Sequence, residues 1–527
     1  MDSPSKDFRS SGLDELRRGG PTILVQFGLV LIVWMMAESL WVRPDGIGAS
    51  WREVDTQAIA RNFHREGIHP LYPRIDWRGD GPGYVETELP LYAATIAVGM
   101  RLVGEHEWIG QALSLLFGAG CGLVFFLFGR RRFGDLAAFT GACVLLSSRL
   151  WVSLSISVMP DMASTFFVVL GFFWFVRYAE RGSTGALVAA SFSTAFAALL
   201  KASALALGVV QFSVMLLGSR QRLVRSSPWL AWGFVLAVAG THLWHANGLY
   251  RDYGNTFGVL SGGDTKFPTL DSLLSPRIHL NLAQLWIQYG AGVIGALALL
   301  GLALARRLGP VEIALAFGNA AGLYISLRYS SDLWAGPHYH VLGALCGAYW
   351  TARATQELLG SVPALGRLAV RAWPAVLVLG LLGARFVVFG AEERARRVEL
   401  QSSPTVALGR VLAPLVLPAD RIVVRSPKPS IHPTWNRPNN FEEPTVFYAA
   451  GAKGFSIPAD SLEPAILEGL VRRGADFYVE SGDRLPAVEL YRWLGEHAEL
   501  VTDEAFGRIW RLPAVAPMES DQESNEE

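Results

Sequence analysis

The side chains able to do acid–base or ligand chemistry fall in a few places along this chain. The polar stretch 51–92 (WREVDTQAIARNFHREGIHPLYPRIDWRGDGPGYVETELPLY) carries Asp55, Glu86 and Glu88 together with Arg52, Arg61, Arg74 and Arg78. Asp161 follows Met159-Pro160 at the head of an apolar run, Lys201 stands between two such runs, and Arg149 lies at the end of another. Arg328-Tyr329 and then Pro337-His338-Tyr339-His340 precede a further run. Two or three carboxylates with a histidine can hold a divalent cation through oxygen and nitrogen donors, which makes Glu88 and His338 the candidate metal ligands. A carboxylate left unligated can act as general base, and Asp55 is the candidate, with Asp161 as the second candidate catalytic residue. Arg52, Arg61, Arg74, Lys201, Tyr339 and His340 offer the cations and donors that a lipid phosphate needs.

Each of these residues also has a plainer reading. Asp55 opens the helical pattern DTQAIARNF, where an aspartate is a natural N-cap. Glu86 and Glu88 precede a helix whose N-terminus favours negative charge, and Asp161 opens an apolar run in the same way. A lone Lys or Arg beside such a run is often a snorkelling side chain. What raises the functional reading is placement, and placement depends on the elements that carry these residues.

Those elements are membrane spans. Of 527 residues, 51% are apolar and 17% charged, with a mean hydropathy of +0.30, against about 25% charged in soluble domains. Lys+Arg and Asp+Glu are each 46, so the balance points to no nucleic acid or acidic partner. Cys121, Cys143 and Cys346 all lie in apolar runs and read as small core residues. A bilayer core takes about 20 apolar residues as a helix. That length gives spans near 22–42, 108–129, 134–151, 161–177, 184–200, 203–219, 229–247, 283–305, 309–327, 338–353 and 373–390.

The segment 89–104 is shorter and contains Arg101. If it lies in the interface, the basic segments 130–132, 177–181, 219–227 and 306–307 all share the side of the N-terminus, as cytoplasmic loops should. The expectation is therefore a mainly α, polytopic bundle of about eleven spans over 22–390, preceded by a cytoplasmic tail (1–21). The first loop, 43–107, is external and carries interfacial helices. It shares its face with the heads of the runs at 161 and 338 and with the segment around Lys201, so Asp55, Glu88 and Asp161 meet one membrane surface, where ionisable groups are costly and often functional.

After 390 the composition changes. DRIVVRS (420–426), TVFYAAG (445–451) and ADFYVES (475–481) read as strands and LEPAILEGLVRR (462–473) as a helix, followed by helix and strand pairs up to RIWRLP (508–513). Residues 391–515 form a small external α/β domain, with acceptor recognition as its expected task. The acidic end 516–527 reads as disordered.

Arg52-Glu53-Val54-Asp55-Thr56 with Ala58 and Ala60, Glu88-Leu89-Pro90-Leu91-Tyr92, Gly104, Met159-Pro160-Asp161 and His338-Tyr339-His340 resemble, in order and loop position, the GT-C integral membrane glycosyltransferases. The part of the superfamily most similar is the bacterial lipid-carrier-dependent branch, with the lipid A aminoarabinose transferases, the protein O-mannosyltransferases and the lipopolysaccharide galacturonosyltransferase type. The resemblance spans about 20–390. It implies transfer of a sugar from a polyprenyl-phosphate donor to a glycan, lipid or protein acceptor, with inversion, on the periplasmic face of the inner membrane. By similarity Asp55 is the first-loop base or acceptor-positioning residue, and Glu88 and Asp161 belong to a metal or substrate network. Thr56 stands where many relatives have a second acid and Leu89 where the aminoarabinose transferases have a basic residue, so Lys201 or an arginine of the first loop would supply that charge. A polytopic transporter or flippase is the alternative; the spans hold few charges near their middles and no repeat is visible.

Overall fold

The computed structural model describes residues 23–37, 47, 50–260, 270–326, 337–361, 399, 403–431, 439, 441–481 and 488–514. The expected tail 1–21, the span 373–390, the acidic end 516–527, Arg328-Tyr329 and the side chain of His338 lie outside the described residues. Two compact units emerge: 1–46, 87–248 and 265–394 form the first, and 47–86, 249–264 and 395–527 the second.

The first unit is helical. Its elements are α1 (Ile23–Ala37), then, after α2 of the other unit, α3 (Leu91–Val103), α4 (Trp108–Phe133), α5 (Asp135–Ser147), α6 (Arg149–Ser155), α7 (Asp161–Arg181), α8 (Thr184–Leu200), α9 (Leu207–Gly218) and α10 (Ser226–Tyr253), whose residues 249–253 belong to the second unit. There follow α11 (Leu270–Leu274), α12 (Pro276–Tyr289), α13 (Gly292–Leu304), α14 (Pro310–Ser326) and α15 (Val341–Ser361). Every expected span other than 373–390 coincides with one or two of these helices. By length and hydropathy, α4 and α7 are long and apolar enough to cross a membrane, and two bent pairs, α5 with α6 (64°) and α12 with α13 (106°), raise that to four. Eleven crossings are thus not established among the described residues. The bend after α5 has a local cause: the Ser148 hydroxyl caps a new helix by accepting from the Trp151 N–H. At 13 residues, α3 is about 20 Å long, well short of a bilayer core of about 30 Å.

The core of this unit is built from aromatics and small residues. Trp34, Trp151, Trp350, Phe125, Phe126 and Phe172 are buried, and their indoles find backbone partners, Trp34 Nε1 donating to Leu146 O at 3.0 Å and Trp151 Nε1 to Gly118 O at 3.3 Å. Small residues let backbones touch where α13 meets α15. A Cβ at Gly347 would come 2.3 Å from Ala291 O, and one at Gly295 would come 2.5 Å from Gly347 Cα.

The second unit joins the first loop to the C-terminal α/β segment. Its elements are α2 (Trp51–Glu66), α16 (Pro404–Leu412), β1 (Arg421–Arg425), α17 (Pro444–Ala450), β2 (Lys453–Ile457), α18 (Pro464–Arg472), β3 (Ala475–Ser481), α19 (Val488–His497), β4 (Glu499–Glu504) and β5 (Gly507–Arg511). The sheet order is β2-β1-β3-β5-β4. β1 runs parallel to β2 and β3, and β5 antiparallel to β3 and β4.

One expected strand is a helix. TVFYAAG has the β-branched and aromatic residues of a strand, yet Pro444 opens α17, Glu443 accepts from the Thr445 N–H, and Gly451 closes the helix with φ +69°. The strand that fills its place is β2. As an edge strand, β2 is covered by the first loop: Gly79 N–H donates to Gly454 O at 2.6 Å and Gly454 N–H to Asp76 O at 3.1 Å. Helix α2 is buried continuously from Glu53 to Phe63, and its Val54 and Ala58 pack on Tyr448 of α17.

Candidate functional site

Glu88, Asp161, Lys201, Tyr339 and His340 lie in the first unit. Pro160 starts α7, and Asp161, its first residue, makes no side-chain cap. Its carboxylate instead meets Lys201, with Nζ 2.8 Å from Oδ1 and only 2% and 15% of the two side chains exposed. Lys201 reaches it because α8 ends there: the backbone turns extended (φ −158°) while its N–H still donates to Ala197 O. Leu89 N–H donates to Leu199 O at 2.9 Å, which brings the Glu88 segment alongside. Glu88 and Tyr339 both act electrostatically on the ammonium.

Asp161, Lys201 and Tyr339 line a cavity with an empty volume of about 560 Å³ including its open mouth. Ser164, Thr165 and Ser203 add hydroxyls to its wall, whereas Val168, Leu207, Val341 and Leu342 make the remainder apolar. A polar group with an attached hydrocarbon fits such a surface. His340, the neighbour of Tyr339, is fully buried and neither ring nitrogen has a hydrogen-bond partner among the described residues. Arg149 stacks over Tyr289, 4.8 Å from the ring centroid.

His242 was not anticipated. On α10, its Nε2 lies 3.1 Å from Thr87 O, beside Glu88, and its Nδ1 is buried with no hydrogen-bond partner among the described residues. The available signal was an ionisable residue inside an apolar span. Among the described residues, no group of three or more His, Cys, Asp or Glu gathers in a way that could hold a metal ion. The Lys201 ammonium interacts with both Asp161 and Glu88.

Asp55, Arg52, Arg61 and Arg74 lie in the second unit. Asp55 is not the cap of α2; Ser50 is, accepting from Glu53 N–H at 3.3 Å. Asp55 lies one turn in, 1% exposed, and Trp77 Nε1 donates to its Oδ1 at 2.9 Å while Oδ2 has no hydrogen-bond partner among the described residues. Burial pushes its carboxyl well above the usual range; the Trp77 indole and Arg52 oppose this, and Asp76 and Glu442 add to it. The Glu442 carboxyl is itself raised by burial, and its Oε2 has no hydrogen-bond partner among the described residues.

The arginines here are engaged with the fold. Arg61 pairs with Asp76 at 2.7 Å, donates to Tyr448 O at 2.8 Å and stacks on the Tyr448 ring. Arg74 and Arg78 pair with Glu66 at 2.7 and 2.8 Å, and Lys453 joins them. Although burial works against it, the hydrogen bonds from Arg78, Lys453 and Arg74 bring the Glu66 carboxyl down to about 2. Arg52 stacks over Phe257, 4.1 Å from its centroid. Glu86, expected as a dipole partner, is fully buried and anchors the 255–260 segment: it accepts from Thr256 and from Leu260 N–H at 2.7 Å.

Residues 82–245 match the family model for dolichyl-phosphate-mannose-protein mannosyltransferases. The match takes in Glu88, Asp161, Lys201 and His242 and leaves out Asp55. The fold is similar to that of ArnT from Cupriavidus metallidurans in the apo state, at 16% identity and TM-score 0.61, covering 93% of this chain and 97% of that one. It is likewise similar to the same ArnT bound to undecaprenyl phosphate, at 16% identity and TM-score 0.58, over 92% and 97% of the two chains. The archaeal oligosaccharyltransferase AglB from Archaeoglobus fulgidus, in complex with an inhibitory peptide and a dolichol-phosphate, aligns at 11% identity and TM-score 0.55, over 86% of this chain and 69% of that one. No curated protein sequence matches. The resemblance to the GT-C membrane glycosyltransferases holds: a family model matches the stretch from the first loop to α10, and solved members share the fold.

Proposed function

We propose that this chain is an integral membrane glycosyltransferase that moves a sugar, with inversion, from a polyprenyl-phosphate donor to a glycan, lipid or protein acceptor on the periplasmic face of the inner membrane. The observation that carries this reading is the Lys201–Asp161 pair beside Tyr339, set in a cavity whose other wall is apolar.

In the reaction an acceptor oxygen attacks the anomeric carbon, and the bond from that carbon to the phosphate oxygen breaks with its electron pair staying on the phosphate. The charge that develops there meets Lys201 and the Tyr339 hydroxyl. Asp161 keeps the ammonium charged and oriented before the donor arrives. Asp55 takes the acceptor proton, and a carboxyl raised by burial is a stronger base than an exposed one. Arg52 and His340 remain proposed donor contacts, whereas the pairings of Arg61 and Arg74 suit them to holding the Asp55 segment. A divalent cation on Glu88 and His338 is a separate proposal, and no step above passes through it. Nothing observed favours a transporter or flippase.

The test is mass analysis of envelope glycolipids and glycoproteins from cells with and without the gene, then from cells carrying Lys201→Ala, Asp161→Asn or Asp55→Asn. Loss of one modified species with protein abundance intact supports the reading. Full modification by all three variants overturns it.

A further inference from the structure

In sequence the C-terminal domain reads as an acceptor-recognition element, but its contacts within the second unit lead to Asp55. Trp77, whose indole N–H is the donor to Asp55 Oδ1, is 8% exposed. Its segment is held on both sides by one residue of the edge strand, Asp76 O accepting from Gly454 N–H and Gly79 N–H donating to Gly454 O. Gly454 has φ +155°, and a Cβ there would come 2.0 Å from Ile422 O of β1, so the close approach belongs to the sheet. Two further ties hold the same segment. Asp80 forms a bidentate pair with Arg473 at 2.9 and 2.7 Å, and Arg61 joins Asp76 to Tyr448 O.

We propose that the C-terminal α/β domain fixes the Asp55 carboxyl through Trp77, a positioning residue clamped onto the edge strand β2; this rests on the reading of Asp55 as the base. The indole donates to one carboxyl oxygen and leaves the other, buried and unpartnered, to meet the acceptor hydroxyl. Arg52 from α2, Asp76 beside Trp77 and Glu442 ahead of α17 are the charged groups acting on Asp55, with Arg61 compensating Asp76. The three neighbouring charges stay in place when Trp77 alone is changed.

The experiment is infrared titration of the full-length protein in nanodiscs, following the protonated-carboxyl stretch that Asp55→Asn removes. Trp77→Phe deletes the donor and keeps an aromatic ring. The midpoint of that band is expected to rise by about one to two pH units, the size of a hydrogen bond to a charged group, and modification of the envelope species in cells to fall. Trp77→His, which keeps a ring N–H, is expected to recover part of both and guards against a folding defect in the first variant. An unshifted midpoint in a Trp77→Phe protein of wild-type thermal stability overturns the proposal. Normal sugar transfer by Asp55→Asn overturns the base assignment instead, so the two failures are distinguishable.

Discussion

The ammonium of Lys201 lies 2.8 Å from a carboxylate oxygen of Asp161, with both side chains largely shielded from solvent. Removing one partner of such a pair leaves a buried charge, at a cost of about 3–5 kcal/mol. Lys201→Met is therefore expected to lower thermal stability in detergent markedly. The double variant Lys201→Met with Asp161→Asn should recover most of that stability while sugar transfer stays lost. Recovery of transfer along with stability would assign the pair to structure alone.

Asp55 predicts a pH dependence of opposite sign to that of most carboxylates. Burial raises its carboxyl above the ordinary 3.8, so in the window above that value the folded chain binds a proton that the unfolded chain has released. Stability from this group is full below the ordinary value and declines as pH rises toward the raised one. Asp55→Asn lacks this slope, and the stability difference should move in the variant's favour with rising pH. Denaturation measured across pH for both proteins checks it; parallel curves would refute it.

Glu66 works the other way. Its carboxyl is lowered from 4.5 to about 2 by three basic partners, so its contribution is present above 4.5 and is lost as pH falls toward 2. Glu66→Gln should lose that contribution at neutral pH, with several-fold faster proteolytic cleavage in the first loop. Cleavage at the wild-type rate would show that the cluster of Arg74, Arg78 and Lys453 does not hold the loop.

A larger residue at Gly347 should disturb the bundle. Its Cβ would meet the Ala291 carbonyl, a backbone atom that cannot rotate away. Gly347→Val is expected to cost about 1–3 kcal/mol or more, read as a lowered unfolding temperature. Gly301, which has nothing near its Cβ position, is the control.

The proposal of a divalent cation on Glu88 and His338 is tested by chelation. If Lys201 supplies the charge the phosphate needs, transfer survives treatment with EDTA. Loss of transfer that added divalent cation restores would carry the metal proposal instead.

The helices were legible because apolar runs bounded by arginines, glycines and prolines leave few other readings, and the observed helices begin and end near those marks. The TVFYAAG segment has the composition of a strand, but capping by Glu443 and Gly451 makes it a helix. Among the candidate residues, the sequence brought Asp161 and Lys201 to one face but carried no sign of their pairing. Lys201 reaches Asp161 only through the break after α8. The Asp55 cap reading failed because Ser50, five residues earlier, takes that position. Trp77 carries no sign in the sequence of its hydrogen bond to Asp55, since nothing local reports a contact between residues 22 positions apart.

The coverage of β2 by the first loop orders events during synthesis. Residues 387 positions apart, Arg61 and Tyr448, share a hydrogen bond, so the segment bearing Asp55 leaves the ribosome long before the strand that seats it. Val54 and Ala58 of α2 pack on Tyr448, so that part of the helix surface stays uncovered until residue 448 has been made. A chain stopped short of Gly454 would lack the backbone bonds that hold Asp76 and Gly79 on either side of Trp77.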